Sequence, residues 1–355
     1  MTDPVAPVSL DSPGTVPSTP AESRLRGTLL HPVFWALGLA LPILALSYIT
    51  RLGWAFSPLL GLAAIAYPLV VHRAGITRSK WFAAVLVVSS LSLAIVSYVT
   101  GRYNGLTDEP YVMPYVVGSL LHGQDPYTVV RTYTYQQYGT TLSVTTGYVY
   151  LPLYLILQPF IVSYKVYTIA AWGAAVYLVR RRPFARVAIG QPFVAILAAN
   201  GFNDFPVFLL LTLAYVGLNG KRQRWAELVA LGCKQFANVF VIAYHLVRRD
   251  LRAAGIAAGV TGAIILPFLL WNPGAFVCET LPLTPHSCGS ANTVALYAHT
   301  NYYLWPLWGL AIFFDPIVAW LRQIARRRER GLGRAADPER AAGGSPPTEA
   351  VQRTV

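Results

Sequence analysis

The sequence predicts an all-α, polytopic transmembrane helical bundle of about 8–10 membrane segments with a long first extracytoplasmic loop. Three observations predict it. Of the 355 residues, 55% are hydrophobic and only 12% are charged, whereas a soluble domain carries about a quarter charged residues. Several apolar windows, in a chain whose mean hydropathy is +0.47, are long enough to cross a hydrocarbon core of about 30 Å, which takes ~20 helical residues. The net charge of +13 is gathered into short stretches between these windows, the arrangement in which Lys and Arg stay on the cytoplasmic side. That placement argues against the nucleic-acid surface that the bare charge would suggest.

Residues 1–23, rich in Pro, Ser, Thr and Asp, are expected to be a disordered cytoplasmic tail. The membrane domain is assigned to residues 24–320. Its first apolar segment follows Arg24 and Arg26 and reads as a signal anchor, being too long for a signal-peptide core and lacking a cleavage site. Spans are expected near 31–49, 54–71 and 81–100, with Arg73, Arg78 and Lys80 between the second and third. With the N-terminus inside, residue 101 emerges outside, and the polar stretch 101–147 forms the first extracytoplasmic loop. Its fixed positive charges are Arg102 and Arg131, and connections of such length usually carry function.

The cluster Arg180, Arg181, Arg182 and Arg186 belongs inside, so an odd number of crossings must separate it from residue 147. The stretch between is too long for one straight span and contains Pro152, Pro159 and Lys165. A short helix over 148–162, dipping back or lying at the outer interface, followed by one true span, satisfies the parity. Spans near 187–202 and 205–219 then form a hairpin whose outer turn carries Asn200, Gly201, Asn203 and Asp204. The window 226–247 has Lys221, Arg222 and Arg224 at one end and Arg248, Arg249 and Arg252 at the other. A single crossing would put the second cluster outside, so two half-length helices are expected to meet near Cys233 to Asn238, with Lys234 at the turn. A span near 251–271, a second extracytoplasmic loop over 272–296 and a last span near 297–319 follow. Residues 321–355 are expected to be a basic, disordered cytoplasmic tail. The chain is thus placed in the plasma membrane with both termini cytoplasmic.

Asp108 and Glu109 stand close after the third span, where partial desolvation would raise the basicity of a carboxylate. A solvated acidic pair is the plain alternative. Lys234 sits in an apolar window, where an ionisable residue is costly and becomes a functional candidate; an anionic partner such as phosphate would offset the cost. Snorkelling to an interface is the competing reading. Asn203 and Asp204 are weaker candidates, because turns carry such residues for backbone reasons. Cys278 and Cys288 share the second outer loop and are expected to form a disulfide, while Cys233 packs as a small hydrophobe. No HExxH, CxxC, Walker or GxGxxG motif is present, and the six His give no metal-ligand pair at helical spacing.

Four stretches together resemble the GT-C superfamily, membrane glycosyltransferases that use polyprenyl-phosphate sugars, in particular its actinobacterial α-mannosyltransferase branch. They are Thr107-Asp108-Glu109 with the run Leu121-His122-Gly123-Gln124-Asp125-Pro126-Tyr127; Tyr148-Val149-Tyr150-Leu151-Pro152-Leu153; Asn200-Gly201-Phe202-Asn203-Asp204; and Gly232-Cys233-Lys234-Gln235. The chain departs from the family at Tyr150-Leu151-Pro152-Leu153, where Tyr-Pro-Pro-Leu is common, and at Gly201-Phe202-Asn203-Asp204, where Gly-Gln-x-Asn is. The resemblance implies transfer of a sugar, mannose above others, from a polyprenyl-phosphate donor to a lipid or glycan acceptor on the extracytoplasmic face. The family's first-loop acid falls on Asp108, the catalytic base, with Glu109 beside it as the other candidate. Lys234 with Arg102 or Arg131 would hold the donor phosphate, and His122, Asp125, Tyr127, Asn203 and Asp204 would contact substrate. The resemblance implies no certain cofactor and leaves a divalent metal open; the expected partners are donor, acceptor and membrane lipids, not nucleic acid. A lipid-linked-sugar transporter or flippase would need ionisable groups along a midplane path, whereas these acids gather at one face. A non-catalytic scaffold would not need paired acids beside a broken span.

Overall fold

The computed structural model describes residues 57–73, 75–78, 80–100, 109–137, 140–148, 150–157, 164–280 and 304–336. Expectations for the tail 1–23, the span near 31–49, Arg102, Asp108, Cys288 and the end of the basic tail lie outside these residues. The described chain is mostly helical. Its helices are α1 (Ser57–Arg73), α2 (Lys80–Thr100), α3 (Glu109–Leu121), α4 (Pro152–Leu157), α5 (Tyr164–Leu178), α6 (Pro183–Gly190), α7 (Pro192–Ala199), α8 (Asp204–Thr212), α9 (Gly220–Cys233), α10 (Gln235–Val247), α11 (Leu251–Trp271), α12 (Pro273–Thr280) and α13 (Leu304–Ala336). Among the described residues, two helical segments are long and apolar enough to cross a membrane, Leu251–Trp271 and Leu304–Arg326.

The core is organised around α7, in which every residue is buried. The sequence expectation of one span over 187–202 is corrected here to two short helices, because Gln191-Pro192 interrupts the helix. Pro lacks an N–H and blocks the carbonyl four residues back, so the end of α6 has carbonyls with no helical partner. Side chains from two other helices and from the break itself supply donors. Trp172 of α5 donates Nε1–H to the Ile189 carbonyl at 2.9 Å, and Ser90 of α2 donates to Gly190 at 2.6 Å. Gln191 donates Nε2–H to Ala188 at 2.9 Å and to Ala64 of α1 at 3.0 Å. At the far end of α7, Thr168 donates to the Ala198 carbonyl at 2.6 Å. Buried backbone groups must find such partners, and here they tie α1, α2 and α5 to the α6–α7 break and α5 also to the end of α7. On the opposite side α13 is fixed by stacked rings: Phe314 on Phe184 at 3.8 Å and Trp308 on Phe208 at 4.4 Å.

Two further elements depart from expectation. Residues 101–147 are not a plain loop in an all-α fold: beyond α3 they contain an antiparallel hairpin, β1 (Val130–Gln137) and β2 (Thr140–Gly147), with Val130 opposite Gly147 and Gln137 opposite Thr140. β1 is rich in Thr and Tyr and β2 in Thr, residues that fit a pleated surface. At the other end α13 continues to Ala336, past residue 321 where a disordered tail is expected. Gln323 to Arg330 is a run of Gln, Ile, Ala, Arg and Glu without Gly or Pro, mostly strong helix formers, so the helix propagates through it.

Candidate functional site

The expected broken window is present. α9 ends at Cys233, α10 begins at Gln235, and Lys234 between them is a single extended residue with φ −150° and ψ 141°. The two halves fold back on each other as a hairpin. Glu227 of α9 and His245 of α10, far from the junction on either side, lie 3.2 Å apart, Oε2 to Nε2. Asn238 Nδ2 donates to the Leu231 carbonyl at 3.0 Å, satisfying a group that the break leaves open. Thr261 of α11 donates to Asn238 Oδ1 at 2.5 Å and fixes the amide.

Lys234 is 3% exposed, and its surroundings meet its charge. Nζ lies 2.5 Å from Asp204 Oδ1 and donates to Asn203 Oδ1 at 2.7 Å. The Tyr150 ring centre is 5.0 Å from the ammonium, a favourable cation–π distance. Asp204 is the first residue of α8, where a helix N-terminus favours a negative charge, and it also accepts Nε1–H of Trp305 at 2.8 Å. The preceding turn is tight: Gly201 has φ +88°, a conformation in which a side chain would be strained. The charge that the sequence reading assigns to a donor phosphate is therefore already engaged with a buried carboxylate.

Tyr127 joins the first-loop run to this cluster. It ends in a short turn capped by Asp125, whose Oδ1 accepts Tyr127 N–H at 3.0 Å. The Tyr127 hydroxyl donates to the Tyr150 carbonyl at 2.9 Å, and its ring packs against Tyr148 at 5.2 Å and Phe276 at 4.8 Å. Burial, with the Asp125 carboxylate beside it, pushes the phenol well above its ordinary value, so it stays a neutral donor. Gly232 closes the arrangement from α9. A Cβ there would lie 2.7 Å from Leu153 Cδ2 and 2.9 Å from Ile264 Cδ1, so glycine alone lets α9 approach α4 and α11 this closely.

The structure thus brings Asp125, Tyr127, Asn203, Asp204 and Lys234 into one connected cluster. His122 is exposed at the end of α3, its Nδ1 2.7 Å from the Gly118 carbonyl. Arg131 is exposed on β1, with its guanidinium 4.0 Å from the Tyr115 ring centre. Glu109 opens α3, and Cys278 lies in α12. Asn203 Nδ2 and Asp125 Oδ2 are buried with no hydrogen-bond partner among the described residues. Among those residues no three His, Cys, Asp or Glu side chains gather to hold a metal ion. Sequence reasoning missed Tyr150, Gly232 and Trp305 as parts of the cluster. Trp305 carried no signal, since only the fold sets it against Asp204. Comparison with models of known protein families found no match, and searches of curated proteins and of solved structures found none.

Proposed function

We propose that this chain is a polytopic membrane glycosyltransferase that transfers a sugar, mannose above others, from a polyprenyl-phosphate donor to a lipid or glycan acceptor on the extracytoplasmic face. Support for the membrane part is the mismatch between hydropathy and burial. The α11 window has a hydropathy of 2.1 yet is 11% buried, and α2 turns Val88 and Val99 outward at 64% and 73% exposure. Contiguous exposed apolar surface of this kind needs a non-aqueous covering.

The observation that carries the catalytic part is the contact chain Tyr127, Tyr150, Lys234, Asn203 and Asp204. Its members come from all four stretches on which the resemblance to the GT-C superfamily rests. Residues held in the membrane at such cost mark substrate sites more often than structural ones. In the proposed step the carboxylate of Asp108, or of Glu109, takes the proton of the acceptor hydroxyl. The hydroxyl oxygen bonds to the anomeric carbon from the face opposite the phosphate, the carbon–oxygen bond to phosphate breaks, and the electron pair leaves on the phosphate. The product is inverted, and the phosphate needs no acid to leave. Arg102 and the exposed Arg131 meet the phosphate charge. Lys234 serves by holding the broken helix to the polar turn through Asp204 and Asn203. Asn203 Nδ2, buried and unpartnered among the described residues, offers a donor to a substrate hydroxyl.

Incubation of the purified chain with labelled polyprenyl-phosphate mannose and a panel of lipid and glycan acceptors tests the reading. The expected result is labelled product that is absent from an Asp108→Asn/Glu109→Gln preparation. Equal product from both preparations, or none from either with any sugar donor, would overturn it.

A further inference from the structure

The Lys234 hairpin has a second feature at its open end. A cavity of about 580 Å³ lies between α9, α10 and the start of α11. Arg224 of α9, Arg248 just past the end of α10 and Arg252 of α11 line it, and none of the three forms an ion pair among the described residues. All three are exposed. Arg248 donates Nη1–H to the Tyr244 hydroxyl at 2.5 Å, which aims its guanidinium along the wall. The cavity also has two carboxylates, and both are engaged. Asp250 accepts the Ala253 N–H at 3.0 Å as the cap of α11, and Glu227 is bonded to Gln223 at 3.0 Å and to His245.

Towards the Lys234 tip the lining changes character. Leu228 and Ile256, which keep exposed apolar surface, line the cavity there over the buried Leu231, Val241 and Ala257, forming an apolar inner wall. Cations at the mouth and hydrocarbon within suit an amphiphile with a charged head and an apolar chain. Guanidinium is the donor best matched to phosphate, since its planar fork bonds two oxygens at once. The turn that brings Arg248 and Arg252 together is itself unusual. Arg249 has φ 59°, the one positive φ outside glycine among the described residues. A residue held in that region marks a place where the surroundings dictate backbone shape.

We propose that this cavity binds the phosphate of an anionic phospholipid, with the three arginines on the headgroup and a chain against the inner wall. The site is separate from the Lys234 cluster. It rests on the membrane part of the reading above and is independent of glycosyl transfer. Basic pockets between helices on the cytoplasmic side are suited to lipid headgroups in general, and the charge clusters place this end of the hairpin on that side.

The test uses the full chain in neutral detergent with no sugar donor present, so a failure of the transfer reading leaves it standing. Phosphatidylglycerol, phosphatidylcholine and inorganic phosphate are titrated separately. Bound lipid is counted by native mass spectrometry, and the unfolding midpoint is followed in parallel, since a ligand of the folded state raises it. Phosphatidylglycerol should bind at a saturable site and raise the midpoint, and phosphatidylcholine should do neither. Arg224→Gln/Arg248→Gln/Arg252→Gln should weaken binding at least about tenfold. Arg224→Gln and Arg252→Gln, each alone at an exposed position, should each weaken it measurably, which keeps the test decisive if the triple variant does not fold. Saturation by inorganic phosphate with the same midpoint shift would make the ligand a free phosphate and overturn the lipid assignment. Unchanged phosphatidylglycerol binding in the arginine variants, or equal binding of phosphatidylcholine, would overturn the site itself.

Discussion

Lys234 and Asp204 form a buried ion pair, 2.5 Å from Nζ to Oδ1, that joins the break between α9 and α10 to the first residue of α8. Breaking such a pair from one side leaves an uncompensated buried charge, which costs about 3–5 kcal/mol. Lys234→Ala should therefore destabilise the chain by that order in reversible unfolding. Adding Asp204→Asn should recover much of the loss, because the orphaned carboxylate is gone. A Lys234→Ala chain of unchanged stability that has lost affinity for a polyprenyl-phosphate sugar would instead assign the ammonium to phosphate.

The break itself was legible in the sequence. Basic clusters at both ends of the window 226–247 admit no single crossing, and Lys234 is the costly residue inside it. Its partner was not legible as a partner. Asn203 and Asp204 read as turn residues, and nothing local says that the turn faces Lys234 rather than solvent. The same limit hid Trp305, which lies in another helix altogether. The hairpin β1–β2 is different in kind: its Thr density is a local strand signal, legible in the residues themselves, while the polarity of the stretch reads equally as loop. The break at Gln191 was masked in turn by an apolar run continuous across Pro192.

Tyr127 makes a prediction that depends on pH. Its phenol is raised by burial and by Asp125, so at alkaline pH the unfolded chain releases this proton while the folded chain keeps it. Stability from this group is fully present below the ordinary tyrosine value of about 10 and is lost as pH rises beyond it, at about 1.4 kcal/mol per pH unit. Tyr127→Phe should show an alkaline stability slope shallower by one proton. It should also cost about 1–3 kcal/mol at neutral pH, from the lost bond to the Tyr150 carbonyl. Equal slopes in the two chains would mean that the phenol is not sequestered.

Gly232 tests the close approach of α9 to α4 and α11. A methyl at this position meets Leu153 Cβ at 2.8 Å as well as the tips of Leu153 and Ile264, so the helices must separate. Gly232→Ala should destabilise by about 1–3 kcal/mol despite alanine's better helix propensity. Gly259→Ala in α11 is the control, since a Cβ there meets nothing within 4 Å. It should be neutral or stabilising by up to about 1 kcal/mol. A Gly232→Ala chain as stable as the control would show that α9 has room to spare.

The catalytic reading is tested by contrast at the two adjacent acids. Asp108→Asn is nearly isosteric but a far weaker base, and loss of general-base catalysis typically costs 10²- to 10⁴-fold in rate. Donor affinity should survive, because the lost charge does not bind phosphate and would repel it. Glu109 is the first residue of α3, and Glu109→Gln, read beside Asp108→Asn, should separate the two acids. Normal turnover in Asp108→Asn with a dead Glu109→Gln moves the base to Glu109. Arg131→Gln should behave unlike either. On the proposed mechanism it removes a cation that meets the departing phosphate, so donor affinity and rate should fall together. If both acid variants and their double combination keep full transfer activity, the proton goes elsewhere. Asp125, whose buried Oδ2 has no partner among the described residues, is then the next carboxylate to replace, with Asp125→Asn read for rate and for loss of the Tyr127 turn it caps.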